Sequence, residues 1–255
     1  MQESKGLIVF DTNVIEGRYM PALLKGETIR DLRPLKEDSF VPAIMWKSIF
    51  EIMHHVKKGQ PTFPWMTDDF SYPGGISVGF DILNEYSDFA SRENLYYWFG
   101  LSQEWEYKNW DLQLQMIEKF VDLEERQKKI HGMEVMKRFA EWRFSLNAFC
   151  NRVRKSIERE FKVLYAPLGN YQQYFILVEK ISRESLLPNE DLEILCGALF
   201  ENARAFVTDD SNILLEAGLS LSFDYDTAFV HPNRMEAAAS CDFDIRWSYK
   251  QTSRR

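Results

Sequence analysis

Three features of the sequence predict an α/β fold built around a parallel sheet. Two are the runs Leu7-Ile8-Val9-Phe10 and Ala205-Phe206-Val207, apolar at every position, which stop abruptly at Asp11-Thr12-Asn13 and Thr208-Asp209-Asp210. A parallel strand has helices over both faces, so it carries apolar residues on both sides. The third is the helix-then-strand alternation that runs from Pro188 to Val230. In open α/β sheets ligands sit beyond the carboxyl ends of the strands. The two runs therefore bring Asp11 and Asp210, 199 positions apart in sequence, to one edge. Carboxylates gathered in one place repel unless a cation lies among them, which makes a divalent metal site the leading expectation.

Composition bounds the answer. A chain of 255 residues suits one large domain or a core domain with a sizeable insertion. An apolar content of 45% is ordinary for a globular protein, and the 15% of aromatic residues favours a well-packed interior without naming a function. No segment approaches 18 uninterrupted apolar residues, so neither a transmembrane helix nor a membrane partner is expected. The apolar stretch after Gly6 is too short for a signal-peptide core. Cys150, Cys196 and Cys241 are odd in number, widely spaced and form no CxxC pair, which fits a reduced cytoplasmic protein without a zinc site.

The net charge of -8 taken alone argues against nucleic acid, but it is unevenly spread. Arg126 to Lys162 holds 11 Lys or Arg against 4 Glu and no Asp, a local +7 that leaves -15 elsewhere. Two readings stand side by side: a solvated helix face, or a contact for a polyanion set apart from an acidic centre.

The elements follow in order. Val14 to about Lys25 reads as a helix starting near Thr12 or Asn13, and a short strand is expected around Ser39 to Val41. Pro42 then suits a first helical turn, where its missing N–H costs nothing. Met45, Ile49, Ile52 and Val56 recur at helical spacing and should face the core, with Lys57, Lys58, Gly59 and Pro61 as a stop. Residues 61–79 are rich in turn formers. From about 60 to 185 the β/α alternation lapses. Phe139, Leu146, Phe149, Val153, Ile157 and Phe161 fall mostly three, four or seven apart, predicting one or two long amphipathic helices that carry the basic residues. The aromatic cluster from Tyr96 to Trp110 reads as packing for this segment. After Pro188, Asn189 caps a helix with Glu190 and Asp191 in its first turn, as the helix dipole prefers. The strand Ala205–Val207, a short helix from Ser211 and a last strand Ala228-Phe229-Val230 complete the pattern.

Asp11-Thr12-Asn13 after a strand, Asp191 near the start of a late helix, Thr208-Asp209-Asp210 after the next strand and the closing Phe229-Val230-His231-Pro232 together resemble the PIN-domain ribonucleases. The resemblance covers about 1–58 and 186–236. It implies a three-layer α/β/α sandwich with a central parallel sheet, formed by these two segments. A helical insertion at 59–185 and a C-terminal extension at 237–255 lie outside it. The activity it implies is that of a metal-dependent endoribonuclease. Position by position, Asp11, Asp191 and Asp210 match acids of the family. Asn13 and Thr208 match polar positions that hold the carboxylates, and Asp209 stands where another polar residue is frequent. The second family acid falls at Ser48, which is no carboxylate. Glu51, one turn later on a neighbouring surface, is the candidate in its place, with Glu16 in reserve.

Phosphodiester hydrolysis needs a hydroxide in line with the leaving oxygen and relief of phosphate charge, and one or two Mg2+ or Mn2+ ions supply both. An all-oxygen donor set suits those hard cations. In this expectation Asp11, Asp210 and Asp191 bind metal, Glu51 completes the catalytic set, and Arg152, Arg154 and Lys155 help to seat RNA. The resemblance leaves the biological role open between a toxin with an inhibitory antitoxin partner, a defence effector and a processing enzyme. Homo-oligomerisation is equally open. Two rivals stand beside the nuclease. One is a PIN-like scaffold without chemistry that binds RNA or protein, for which Ser48 speaks. The other is a hydrolase using Asp11 as nucleophile, against which Asn13 speaks. His54 and His55 read as residues near a helix end, interacting with its dipole.

Overall fold

The structure is a computed structural model that describes residues 6–37, 40–59, 64–66, 71–84, 126–165, 170–214, 225 and 227–234. The aromatic cluster at 96–110 and the extension at 237–255 lie outside the described residues. No described helix is long and apolar enough to cross a membrane.

Five strands form one all-parallel sheet: β1 (Gly6–Phe10), β2 (Phe40–Met45), β3 (Lys162–Leu164), β4 (Ala205–Val207) and β5 (Ala228–Val230), in the order β3-β2-β1-β4-β5. β1 and β4 are neighbours, with Phe10 in register with Val207. That pairing sets Asp11 and Thr208 side by side where both strands end. Between β1 and β2 the chain forms α1 (Thr12–Val14), a π-helical stretch Ile15–Tyr19, α2 (Met20–Lys25), a 3-10 turn Arg30–Leu32 and α3 (Arg33–Glu37). Gly26, at φ 73, ends α2 in the left-handed conformation that spares glycine the Cβ clash. After β2 come α4 (Trp46–Lys58), a 3-10 turn Pro64–Met66, α5 (Ile76–Asn84) and the 35-residue α6 (Arg126–Glu160). The helices α7 (Tyr171–Glu184) and α8 (Asn189–Phe200) lead to β4.

The two faces of the sheet are covered from different parts of the chain. Val9, Ala43, Phe206 and Phe229 occupy matching register positions and share a core with Ile181 of α7 and Leu192, Leu195 and Leu199 of α8. One residue along β1, alternation turns Phe10 to the opposite face. There its ring meets Tyr19 at 6.0 Å and Phe161 at 5.3 Å. Each fully buried side chain of this size contributes about 1.5–3 kcal/mol, enough to pin the strand ends. The arrangement is an α/β fold consistent with a three-layer α/β/α sandwich. Gly197 lets α8 approach β2 closely, since a Cβ there would run into the side chain of Met45.

Two sequence expectations are corrected. β2 runs on through Pro42 to Met45, so the helix after it starts at Trp46, four residues beyond Pro42. β3 lies beside β2 only from Ala43 onward, so at Pro42 the strand has one neighbour, and proline is tolerated in such edge-like settings. The segment 59–185, expected to be a helical insertion, is also not wholly helical. Its residues 162–164 form the edge strand β3, too short to show a periodicity, and α7 packs on α8.

The described residues fall into two compact units. One comprises those within Met1–Val56, Pro61–Phe70 and Cys150–Arg255, the other those within Lys57–Gln60 and Ser71–Phe149. The division therefore falls inside α6, and 150–185 groups with the sheet. In the second unit the indole N–H of Trp142 donates to the Gly74 carbonyl at 3.3 Å, and its ring lies close against Gly79. Tyr72 packs on Phe149 with centroids 5.2 Å apart.

Candidate active site

Asp11 is the first residue past β1 and is 3% exposed. Its extended backbone (φ -72, ψ 158) makes it the N-cap of α1, and its Oδ1 accepts the Thr12 N–H at 2.7 Å. Its Oδ2 accepts the Thr208 hydroxyl, also at 2.7 Å. Thr208 Oγ1 in turn accepts the Asp210 N–H at 3.0 Å. On the other side the Thr12 hydroxyl donates to Glu51 Oε2 at 2.6 Å. Side chains and amides thus link Asp210, Thr208, Asp11, Thr12 and Glu51 into one chain spanning the ends of β4 and β1 and the helix α4.

Burial pushes the Asp11 carboxyl from 3.8 up to about 7. The bonds from Thr208 and Thr12 pull it down, and the charges of Asp191 and Glu51 push it further up. Glu51 is raised for the same leading reason, burial, with its Thr12 bond lowering it, Glu190 and Asp191 raising it and His55 lowering it. Asp191, in the first turn of α8, is raised by burial and then by the charges of Asp210 and Glu190. Asp191 therefore bears on Asp11 and Glu51, and Asp210 bears on Asp191, at the carboxyl edge of the sheet. Lys47 of α4 pairs with Glu193 of α8 at 3.1 Å and helps to tie together the helices that carry Glu51 and Asp191.

Structure and sequence expectation divide here residue by residue. Asp11, Glu51 and Asp191 are brought within electrostatic reach of one another, and Asp210 within reach of Asp191. Asp210 also does a plain structural task, accepting the Asn212 N–H at 2.7 Å at the start of the short helical segment 211–214. Asn13 is exposed on α1, and the holding role expected of it belongs to Thr12 next door. Asp209 is exposed. Ser48 is fully buried, and its hydroxyl has no hydrogen-bond partner among the described residues. Because α4 begins late, the turn after Ser48 is the one that carries an acid to Thr12. Glu16 is 0% exposed. It accepts from His55 Nδ1 at 2.9 and 3.1 Å, and His55 lies one turn beyond Glu51 on α4.

Arg152, Arg154 and Lys155 lie on α6, where Arg152 and Lys155 are exposed and Val153 is buried. Arg154 is half-buried, with Nε 3.6 Å from Glu158 Oε1, within ion-pair range but too long for a hydrogen bond.

The donor chemistry of the acidic cluster suits a hard divalent cation, since every candidate group is an oxygen. Among the described residues, however, no three His, Cys, Asp or Glu side chains converge at metal-ligand spacing. Charges couple over longer distances than coordination bonds reach, so the cluster is an electrostatic focus and not a closed cage. Comparison of the chain with protein-family models, with curated proteins and with solved structures finds no match in any of the three.

Proposed function

We propose that the protein is a divalent-metal-dependent endoribonuclease with a PIN-like core, acting at the carboxyl edge of the sheet. One observation carries the reading: a buried carboxyl, Asp11, held by two neighbouring groups and raised to about 7, amid three further acids. Groups shifted in this way by burial and like charge cluster at functional sites. A structural ion-pair network would contain a basic partner for Asp11; its bonds here come from a hydroxyl and an amide.

When bound, Mg2+ or Mn2+ supplies a hydroxide near neutral pH and offsets the charge of the phosphate. Asp11, Asp191 and Asp210 are the residues to hold it, with Glu51 completing the acidic set. The Thr12 N–H and the Thr208 hydroxyl keep both Asp11 oxygens in fixed directions, and the Thr12 hydroxyl does the same for one oxygen of Glu51. The basic face of α6 is assigned to the RNA backbone. A cellular role as toxin or defence effector, with an inhibitory partner, rests on the resemblance alone.

The test is cleavage of a labelled single-stranded RNA with Mg2+, Mn2+ or EDTA. Wild type should cleave only with a cation, and Asp11→Asn or Asp210→Asn should remove cleavage while leaving the far-UV spectrum unchanged. Full activity in either variant would remove that residue from the site. The second reading, a PIN-like scaffold that binds RNA or protein without chemistry, is favoured by the open spacing of the acids. RNA binding by wild type with no cleavage under any cation would establish it.

A further inference from the structure

The carboxyl edge of the sheet carries a second feature that the acidic cluster does not use. Met45 ends β2 and Leu164 ends β3, and the two are register partners. The next residues, Trp46 and Tyr165, therefore emerge side by side at the edge where Asp11 follows β1. Their rings are stacked, with centroids 5.6 Å apart and planes at 28°. Yet Trp46 remains 37% exposed and Tyr165 59%. Phe50 lies four residues after Trp46, on the same face of α4, and is 56% exposed. Glu51, hydrogen-bonded to Thr12, is the residue after Phe50. Packing alone would bury such rings, since each forgoes a large apolar contribution by staying in water.

We propose that Trp46 and Tyr165, with Phe50 beside them, form a stacking platform for an unpaired nucleobase, which confines the site to single-stranded RNA. The choice of RNA as ligand class rests on the nuclease reading. Two nearly parallel rings offer a flat π-face that any base can extend, without hydrogen-bond readout. A base inside a duplex already has neighbours on both faces, so the platform excludes it until it is splayed out. Its place on the same strand-end edge as the acids puts a stacked nucleotide next to the phosphodiester they would act on.

The experiment measures affinity in EDTA, where cleavage plays no part, using a labelled single-stranded oligoribonucleotide of about ten nucleotides, within the span a stacking groove covers. Trp46→Ala and Tyr165→Ala should each weaken binding about five- to a hundredfold, the range that stacking of one base carries. Trp46→Phe, which keeps a ring, should retain most of the affinity and guards against a folding artefact. An abasic oligonucleotide should bind wild type as weakly as the intact one binds Trp46→Ala. Ring-independent binding, an equal loss for intact and abasic strands as for a protein-docking surface, or no RNA binding by wild type would each overturn the platform. Ring-dependent binding without cleavage in Mg2+ or Mn2+ would uphold the platform and reject the nuclease. Cleavage by wild type with ring-independent binding would do the reverse.

Discussion

Replacing Asp11 by Asn should stabilise the metal-free protein at pH 8 while removing its activity. The carboxyl is displaced from 3.8 to about 7. At 1.36 kcal/mol per pH unit that displacement corresponds to about 4 kcal/mol of strain in the ionised form. The folded state binds the proton more tightly than the unfolded one, so this group favours folding fully below about pH 4. Its contribution is lost as pH rises through about 7. Asn carries no charge and avoids the loss, but not without cost. Thr208 donates to one Asp11 oxygen and already accepts from Asp210, while the Thr12 N–H points at the other oxygen. Whichever way the amide is turned, its NH2 faces one of those donors, costing about 1–2 kcal/mol. The net gain at pH 8 is about 2–3 kcal/mol, which for a chain of this size raises Tm by about 4–12 °C. At pH 4, where wild type is protonated, the variant should be the less stable of the two. Thermal melts in EDTA at both pH values read the crossing directly. A variant no more stable than wild type at pH 8 would show that Asp11 is not held under strain.

Three further predictions follow from the same geometry. Thr208→Val removes the bond that lowers the Asp11 carboxyl, so the acidic limb of the pH–rate profile should move to higher pH; an unmoved limb would detach Thr208 from Asp11. Glu16→Ala removes the fully buried partner of the part-exposed His55 and should cost about 1–3 kcal/mol in urea denaturation, as losing such a hydrogen bond does. A loss below about 1 kcal/mol would mean that the pair does not hold α4 in place. Neutralising Arg152, Arg154 and Lys155 together should weaken RNA binding and reduce its dependence on log salt by about 2, near 0.7 per phosphate contact. Unchanged salt dependence would return α6 to the role of a solvated face.

Much of this architecture was legible because buried parallel strands have a composition of their own. β1, β4 and β5 lie where the apolar runs placed them, and Asp11 and Thr208 meet because those strands pair. Pro42 misled because its preference for a first helical turn is local, whereas the ladder with β1 continues past it to Ile44. The helix therefore starts at Trp46 and brings Glu51, one turn past Ser48, to the Thr12 hydroxyl. β3 escaped notice because three residues carry no period, and only pairing with β2 defines them. Thr12 was overlooked in favour of Asn13 because sequence spacing does not say which of two adjacent polar groups turns inward. The Glu16–His55 pair depends on a tertiary approach of the π-helical stretch to α4, which no local pattern announces.

The most direct test is a crystal of the protein grown with Mn2+, with the anomalous signal used to locate the ion. The account predicts a peak between Asp11 and Asp210 that disappears in Asp11→Asn. Saturating Mn2+ with no peak at the carboxyl edge of the sheet, or a peak elsewhere that supports cleavage, would contradict it.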